Sequence, residues 1–386
     1  MKKLIVIPLV AVGMMAMAGC SKSPVKETAK VDAINLANLD TTVAPGTDFY
    51  EYACGGWIKS NPLKPEYSRF GTFDQLRENN QEQLRTLINE LGTTSQEAGS
   101  VAQKIGMLYE MGMDSVKLNK DGLSPVKEQL DAIQRLGTKA DVAKMVAVLH
   151  KEGMAPFFAL FVDADEKNSS MNIVQLYQAG LGMGDRDYYL LDDDATLKVR
   201  DAYKQFIGQL FTLTGASPEQ ADAAVNAVMK IETGIAEISF SREDLRDTQK
   251  NYNKIKLDEF KAKNNPLDWD VYFESMGLME IEYLDAKQLP FYEALGEFLK
   301  NVSIDEQKYY LAFNLLNAAA PYLSDDFVAT EFDFYGKTMS GKQEQQPRWK
   351  RSLSTVNGAL GEAVGQMYVA KYFPASSKEK MLELVG

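Results

Sequence analysis

The sequence predicts a mostly α-helical fold with a small β element, and three observations carry that reading. Apolar residues recur at helical intervals along most of the chain, capping-box spacings open several of these runs, and strand signals are few. The first helix opens at Thr72-Phe73-Asp74-Gln75, with capping-box spacing, and continues through Leu76, Leu84, Leu87, Ile88 and Leu91 to Gly92. A second box at 94–97 precedes Val101, Ile105 and Leu108. The run DVAKMVAVLHKEG reads as a helix stopped by Gly153. Stretches 157–162 (FFALFV) and 172–177 (NIVQLY), bounded by polar turns, are suited to pair as a small sheet. Gly180-Leu-Gly182-Met-Gly184 then reads as a tight turn, and Asp192-Asp193-Asp194 as the acidic start of a helix.

Ser217-Pro218-Glu219-Gln220 combines an N-cap, a first-turn proline and a third-position glutamine, and Val225, Val228, Ile231, Ile235 and Ile238 follow on one face. The last long helix, within 348–373, has an apolar face of Leu353, Val356, Leu360, Val364 and Met367. Gly358, Gly361 and Gly365 lie on a neighbouring face. Each costs about 1 kcal/mol relative to alanine in a helix interior, which makes sense if another helix packs very close there. Asn357, Glu362 and Gln366 argue against a membrane helix pair. No internal repeat is present.

With 386 residues the chain is long enough for two domains or one large one. Lys+Arg 42 against Asp+Glu 54 gives 42 − 54 = −12, an acidic balance that excludes a nucleic-acid partner. A single histidine, His150, excludes His-rich metal sites. At the start, Lys2 and Lys3 precede an apolar run to Met17, and Ala18-Gly19-Cys20 closes it, so residues 1–19 read as a signal peptide. The closing residues resemble a bacterial lipobox, with Met17 where leucine is commoner, and the resemblance implies cleavage before Cys20 and acylation of its thiol. An uncleaved membrane anchor is the rival reading. Residues 20–33 read as the lipidated cysteine and a flexible tether, leaving 34–386 as the folded part of a protein of the bacterial cell envelope.

Candidate chemistry is sparse. His150 ends a helix-like run, where the helix dipole favours an imidazolium. Asp163 and Asp165 are no calcium loop, because Lys167, Asn168 and Val174 occupy ligand or turn positions. The glycine-rich turn lacks phosphate-loop spacing, and Asp185 and Asp187 would repel a phosphate. Neither G-x-S-x-G nor a Ser/His/Asp set is present. Arg69, among Tyr67, Phe70 and Phe73, and Arg77 admit two readings: recognition of a peptide carboxylate, or a structural arginine stacked on aromatics and paired with an acid such as Asp74. Cys54, with Cys20 committed to lipid, has no partner in the chain and no activating neighbour.

GTDFYEYACGGW followed by SRFGTFDQLRE resembles the start of the ectodomain in neprilysin-like zinc metallopeptidases, the family that includes endothelin-converting enzyme and bacterial oligopeptidase O. LFVDADEKNSSMNIVQLYQAGLGMGDRDYYL and RWKRSLSTVNGALGEAVGQMYV extend the match from about residue 34 to the end. The resemblance concerns that family's N-terminal half: a multi-helix lid lobe that limits access to a catalytic lobe, with residues 40–77 packing on the latter. By position it assigns Arg69 and Arg77 to the substrate's C-terminal carboxylate. It implies short peptides as substrates and one zinc ion in the complete enzyme. This chain has no H-E-x-x-H, so the expectation is no catalytic residue, no metal ligand and no cofactor of its own, and no activity alone. The resemblance also implies that a cysteine pairing with Cys54 would lie beyond Gly386, and Ser352 stands where animal members often carry a cysteine. A non-catalytic peptide-binding or assembly lipoprotein is the alternative, and a glycan-capturing surface lipoprotein is a third.

Overall fold

The computed structural model describes residues 35–263 and 267–386; the signal peptide, Cys20 and the tether lie outside the described residues. The chain divides into a unit that ends at Pro62 and a larger one, Leu63–Gly386. In the first, a helical turn Leu36–Asn38 precedes helix α1 (Phe49–Ser60), whose N-cap Asp48 accepts a hydrogen bond from Glu51 N at 2.9 Å. The backbones of these pieces touch at Gly56, where a Cβ would lie 2.3 Å from Ala37 O. Buried Asp40 pairs with Lys59 and accepts from Thr42, which together bring its pKa down to about 2. Cys54 is a half-buried free thiol.

In the larger unit, α2 (Thr72–Thr93), α3 (Val101–Met113), α4 (Ser115–Asp121), α5 (Ser124–Gln134) and α6 (Lys139–Lys151) lead to a hairpin of β1 (Phe158–Asp165) and β2 (Asn168–Gln178). After α7 (Asp187–Leu190), α8 (Asp194–Leu213) and α9 (Pro218–Ile238) come β3 (Lys254–Lys256), α10 (Leu257–Lys263), α11 (Trp269–Met276) and β4 (Tyr283–Ala286). The unit closes with α12 (Leu289–Leu299), α13 (Ile304–Ala319), α14 (Asp325–Glu331), a π-helical segment Phe332–Met339, α15 (Arg348–Tyr372) and α16 (Ala375–Val385). The predicted strands pair antiparallel, with Val162 opposite Val174, and the sheet extends to four strands in the order β1-β2-β4-β3. Strand β4 runs parallel to β2, Leu176 facing Ala286, and buries Leu284 and Ala286.

Caps follow the local chemistry, with two corrections. Ser217 and Gln220 form the reciprocal box at α9, and Asp193 caps α8. Helix α2, however, is capped from Gly71, whose N–H donates to Asp74 Oδ2 at 3.0 Å, so Thr72 is already helical. The box expected at 94–97 does not form: Thr94 Oγ1 donates to Glu90 O at 2.9 Å, and Ser100 caps α3. One large core gathers α5, α6, α8, α9, α11–α13 and the sheet, including the α9 stripe Val228, Ile231 and Ile235. A smaller one joins α2, α3 and α15 through Leu84, Leu87, Ile88, Ile105, Leu353, Val356 and Val364. Leu76 departs from its predicted stripe and is 57% exposed.

The glycine face of α15 is a further correction. No atom lies within 4 Å of a Cβ placed on Gly358 or Gly365, so no helix packs closely there among the described residues. The helix instead departs from helical geometry at Leu360, with φ −130° and ψ 25°. No helix among the described residues is long and apolar enough to cross a membrane.

Candidate functional site

The loop before α2 and the first turns of that helix carry both predicted arginines. Tyr67 is buried and meets Phe70 edge-on, with ring centroids 5.3 Å apart. Its hydroxyl donates to Glu78 Oε1 at 3.1 Å, one turn beyond Asp74 on α2. Lys350, on the first turn of α15, reaches across to Glu66 Oε1 at 2.5 Å and Glu78 Oε1 at 2.8 Å, and Lys64 holds the other oxygen of Glu78 at 2.5 Å. Burial alone would raise the pKa of Glu78, but the bonds from Lys350 and Lys64 draw it down to about 2. For Lys350, burial opposes the charge, while Glu66 and Glu78 more than offset it and raise the pKa. This ion cluster pins the 64–67 loop to α2 and α15.

Arg69 stands on the pinned loop and is exposed, with no ion pair or ring contact among the described residues. The acid of the structural reading, Asp74, serves Arg77 instead, at 3.3 Å along the same helix. Arg77 is itself exposed, as are its neighbours Phe73 (83%) and Leu76 (57%). Two guanidinium groups beside exposed apolar side chains suit a ligand that joins a carboxylate to an apolar residue. The supporting cluster was not legible in the sequence, because Lys350 and Glu78 are 272 positions apart and no local pattern links them.

The glycine-rich turn is built against a second buried network. A Cβ on Gly182 would lie 1.8 Å from Tyr203 Oη and 3.3 Å from Glu232 Oε1. Glu232, 1% exposed on α9, accepts from Tyr189 at 2.6 Å and Tyr203 at 2.9 Å, and burial raises its pKa to about 8. Tyr310 and Tyr335 donate to the carbonyls of Gly180 and Gly182, both at 2.9 Å. The turn lines a cavity of about 410 Å³ together with Arg186, Arg242, Asn314 and Asn317. Both of these arginines are engaged, Arg186 by Ser239 O and Arg242 by Asp185.

His150 has the structural role expected of it, but the dipole is not the reason. It lies at the end of α6, half-buried between Phe158 and Tyr272, and desolvation lowers its pKa to about 4. Its Nδ1 is 2.7 Å from Tyr272 Oη, so it is a neutral core imidazole and the helix dipole does not hold it charged. Among the described residues no group of three or more His, Cys, Asp or Glu side chains could hold a metal ion. These residues therefore do not fit the zinc of the resemblance.

Residues 45–386 match the profile described as Peptidase family M13. Endothelin-converting enzyme 1 of Homo sapiens is 29% identical over 366 residues, covering 91% of this chain and 46% of that protein. Among solved structures, the Mycobacterium tuberculosis zinc metalloprotease ZMP1, in complex with an inhibitor, superposes with a TM-score of 0.84 at 26% identity. That match covers 91% of this chain and 53% of the other. PepO from Lactobacillus rhamnosis shares the fold, with a TM-score of 0.75 at 19% identity over 89% of this chain and 54% of its own. The chain thus spans about half the length of the relatives it matches.

Proposed function

The chain belongs to peptidase family M13, and from that premise we propose that it is the substrate-gating, N-terminal portion of a zinc metalloendopeptidase that cleaves short peptides. Its helical body forms the lid, and residues 40–77 pack on a catalytic lobe supplied by the remainder of the enzyme. That lobe carries the zinc, so this portion is inactive by itself. The basic and apolar start ending in Ala18-Gly19-Cys20 supports export and a lipid anchor on Cys20 in a bacterial cell envelope.

One observation carries the role in substrate binding. Arg69 is presented on a loop pinned by Lys350, Glu66 and Glu78, and its guanidinium has no ion-pair partner among the described residues. An arginine fixed at its base and free at its tip is suited to hold a terminal carboxylate bidentately. Arg77 contributes the second positive charge, shared with Asp74. The test is Arg69→Met in the complete enzyme, comparing free-acid peptides with C-terminally amidated ones. The preference for the free acid is expected to fall by roughly ten-fold or more, the worth of a charge-assisted pair. Unchanged KM ratios between the two peptide forms would refute the assignment.

A further inference from the structure

A cavity of about 510 Å³ lies between α14 and the first half of α15, and Gln345 and Gln346 in its lining follow Gln343 and Glu344, whose N–H groups donate to Pro65 O. Its volume is in the range of small-ligand pockets. Two half-buried, oppositely charged side chains line it, Arg351 from α15 and Glu331 from the end of α14. They form no ion pair with each other among the described residues, although each lies within the other's electrostatic reach. Arg351 spends only its Nε–H, donated to Gln346 O at 3.1 Å, and its two terminal amino groups donate no hydrogen bond within the described chain. The carboxylate of Glu331 accepts none there either, and burial raises its pKa.

The neighbouring charges relieve this only in part, Asp325 acting through space on Arg351 and Lys342 on Glu331. Arg348 is engaged by Asp325 and by Gly112 O, and it lowers the pKa of Arg351 further. Buried charges are ordinarily paired or hydrogen-bonded, and a half-buried one bears part of that desolvation penalty. Two opposite charges kept apart across a cavity leave one carboxylate-binding and one ammonium-binding position open at once. Tyr322, Val328 and Ala359 supply an apolar wall between helices, and the amide of Gln345 adds a polar edge.

We propose that this cavity binds a zwitterion, an unblocked short peptide or free amino acid whose carboxylate meets Arg351 and whose ammonium meets Glu331. The side chain of the ligand lies against the Tyr322–Val328 wall. The open backbone at Gly358, where an added Cβ would meet nothing within 4 Å, leaves the cavity floor clear. Arg69 does not line this cavity, and the proposal does not rest on the contact assigned to it.

The experiment is calorimetric titration of the full chain with the dipeptide alanyl-leucine, with its N-acetylated form, with its C-terminal amide, and with free leucine. Saturable binding of the unblocked dipeptide is expected, weakened roughly ten-fold or more by either blocking group, as expected for loss of one charge-assisted contact. Free leucine binding at the same positions supports the site equally and identifies the occupant as an amino acid. Arg351→Met should erase the penalty of C-terminal amidation, and Glu331→Gln that of N-acetylation, with circular dichroism confirming that each variant folds. Loss of binding in Arg69→Met, with Arg351→Met and Glu331→Gln binding as the wild type does, would move the ligand to the other site and overturn the proposal. Equal affinity for blocked and unblocked dipeptides overturns it too, and that comparison needs no mutation. Absence of saturable binding to the folded chain has the same force.

Discussion

Replacing Lys350 by methionine tests whether the ion cluster beneath Arg69 organises that loop. The Lys350 side chain is 7% exposed and those of its partners Glu66 and Glu78 are 19% and 17% exposed, so solvent screens the cluster only partly. Removing one partner of a fully buried pair costs about 3–5 kcal/mol, and the residual exposure together with Lys64 on Glu78 places this case at the lower end, about 3 kcal/mol. Linkage leads to a similar ceiling. Lowering the pKa of Glu78 from 4.5 to about 2 is a displacement of about 2.5, worth about 3 kcal/mol at 1.36 kcal/mol per unit. A depressed carboxyl pKa contributes stability that is present above about 4.5 and is lost as the pH falls toward 2. Lys350→Met should therefore lower the unfolding free energy by about 3 kcal/mol at pH 7 and by less than about 1 kcal/mol at pH 2.5, close to the folded-state pKa of Glu78, where most of its linked stabilisation has been lost. Urea unfolding followed by tryptophan fluorescence reads both values, with Trp349 adjacent to the perturbed residue. A cost that is the same at both pH values would show that Lys350 acts through packing alone and would refute the electrostatic account.

Glu232 should show the opposite pH dependence. Its pKa is raised to about 8, so the stability it contributes is complete below about 4.5 and is lost as pH rises through 8, at about 1.4 kcal/mol per pH unit at most. Glu232→Gln removes that titration, and the wild type should lose stability relative to the variant between pH 5 and pH 8; a difference that is flat with pH sinks the assignment. Two glycine substitutions should differ in sign. Gly182→Ala drives a methyl into Tyr203 and should cost about 2–3 kcal/mol, whereas Gly365→Ala, with no atom within 4 Å, should add about 1 kcal/mol of helix stability. Thermal melts compare the two, and destabilisation by Gly365→Ala would mean that its face is covered after all.

What was legible in the sequence was whatever a few neighbouring residues decide. Ser217-Pro218-Glu219-Gln220 carries its cap, its proline and its reciprocal partner within one turn, and the structure reproduces each of them. The hairpin was legible for the same reason, whereas β4 was not: its pairing with β2 joins Leu176 to Ala286, and a four-residue strand has too little pattern to announce a partner so distant. Thr72 shows how near misses arise. Its spacing to Gln75 is correct for a box, but the equally spaced Gly71–Asp74 pair takes the cap, because a glycine N–H needs only the carboxylate of Asp74.

The candidate site was legible only through family resemblance, since an exposed arginine leaves no periodic or steric trace. Local geometry does explain why Arg69 is not the arginine that pairs with Asp74. Asp74 and Arg77 are three apart on one helix and meet without ordering a loop, so the acid that Arg69 would need is already engaged. The three glycines of α15 show a limit of the opposite kind. Periodicity identifies which face a residue occupies, but not whether anything covers that face. Gly358 turns out to floor an open cavity, and the charge beside it, Arg351, lies seven residues earlier on the same helix with most of its hydrogen-bonding capacity unspent. A small residue that a sequence reading assigns to close packing can equally keep space clear for a ligand, and only the neighbouring unpaired charges distinguish the two.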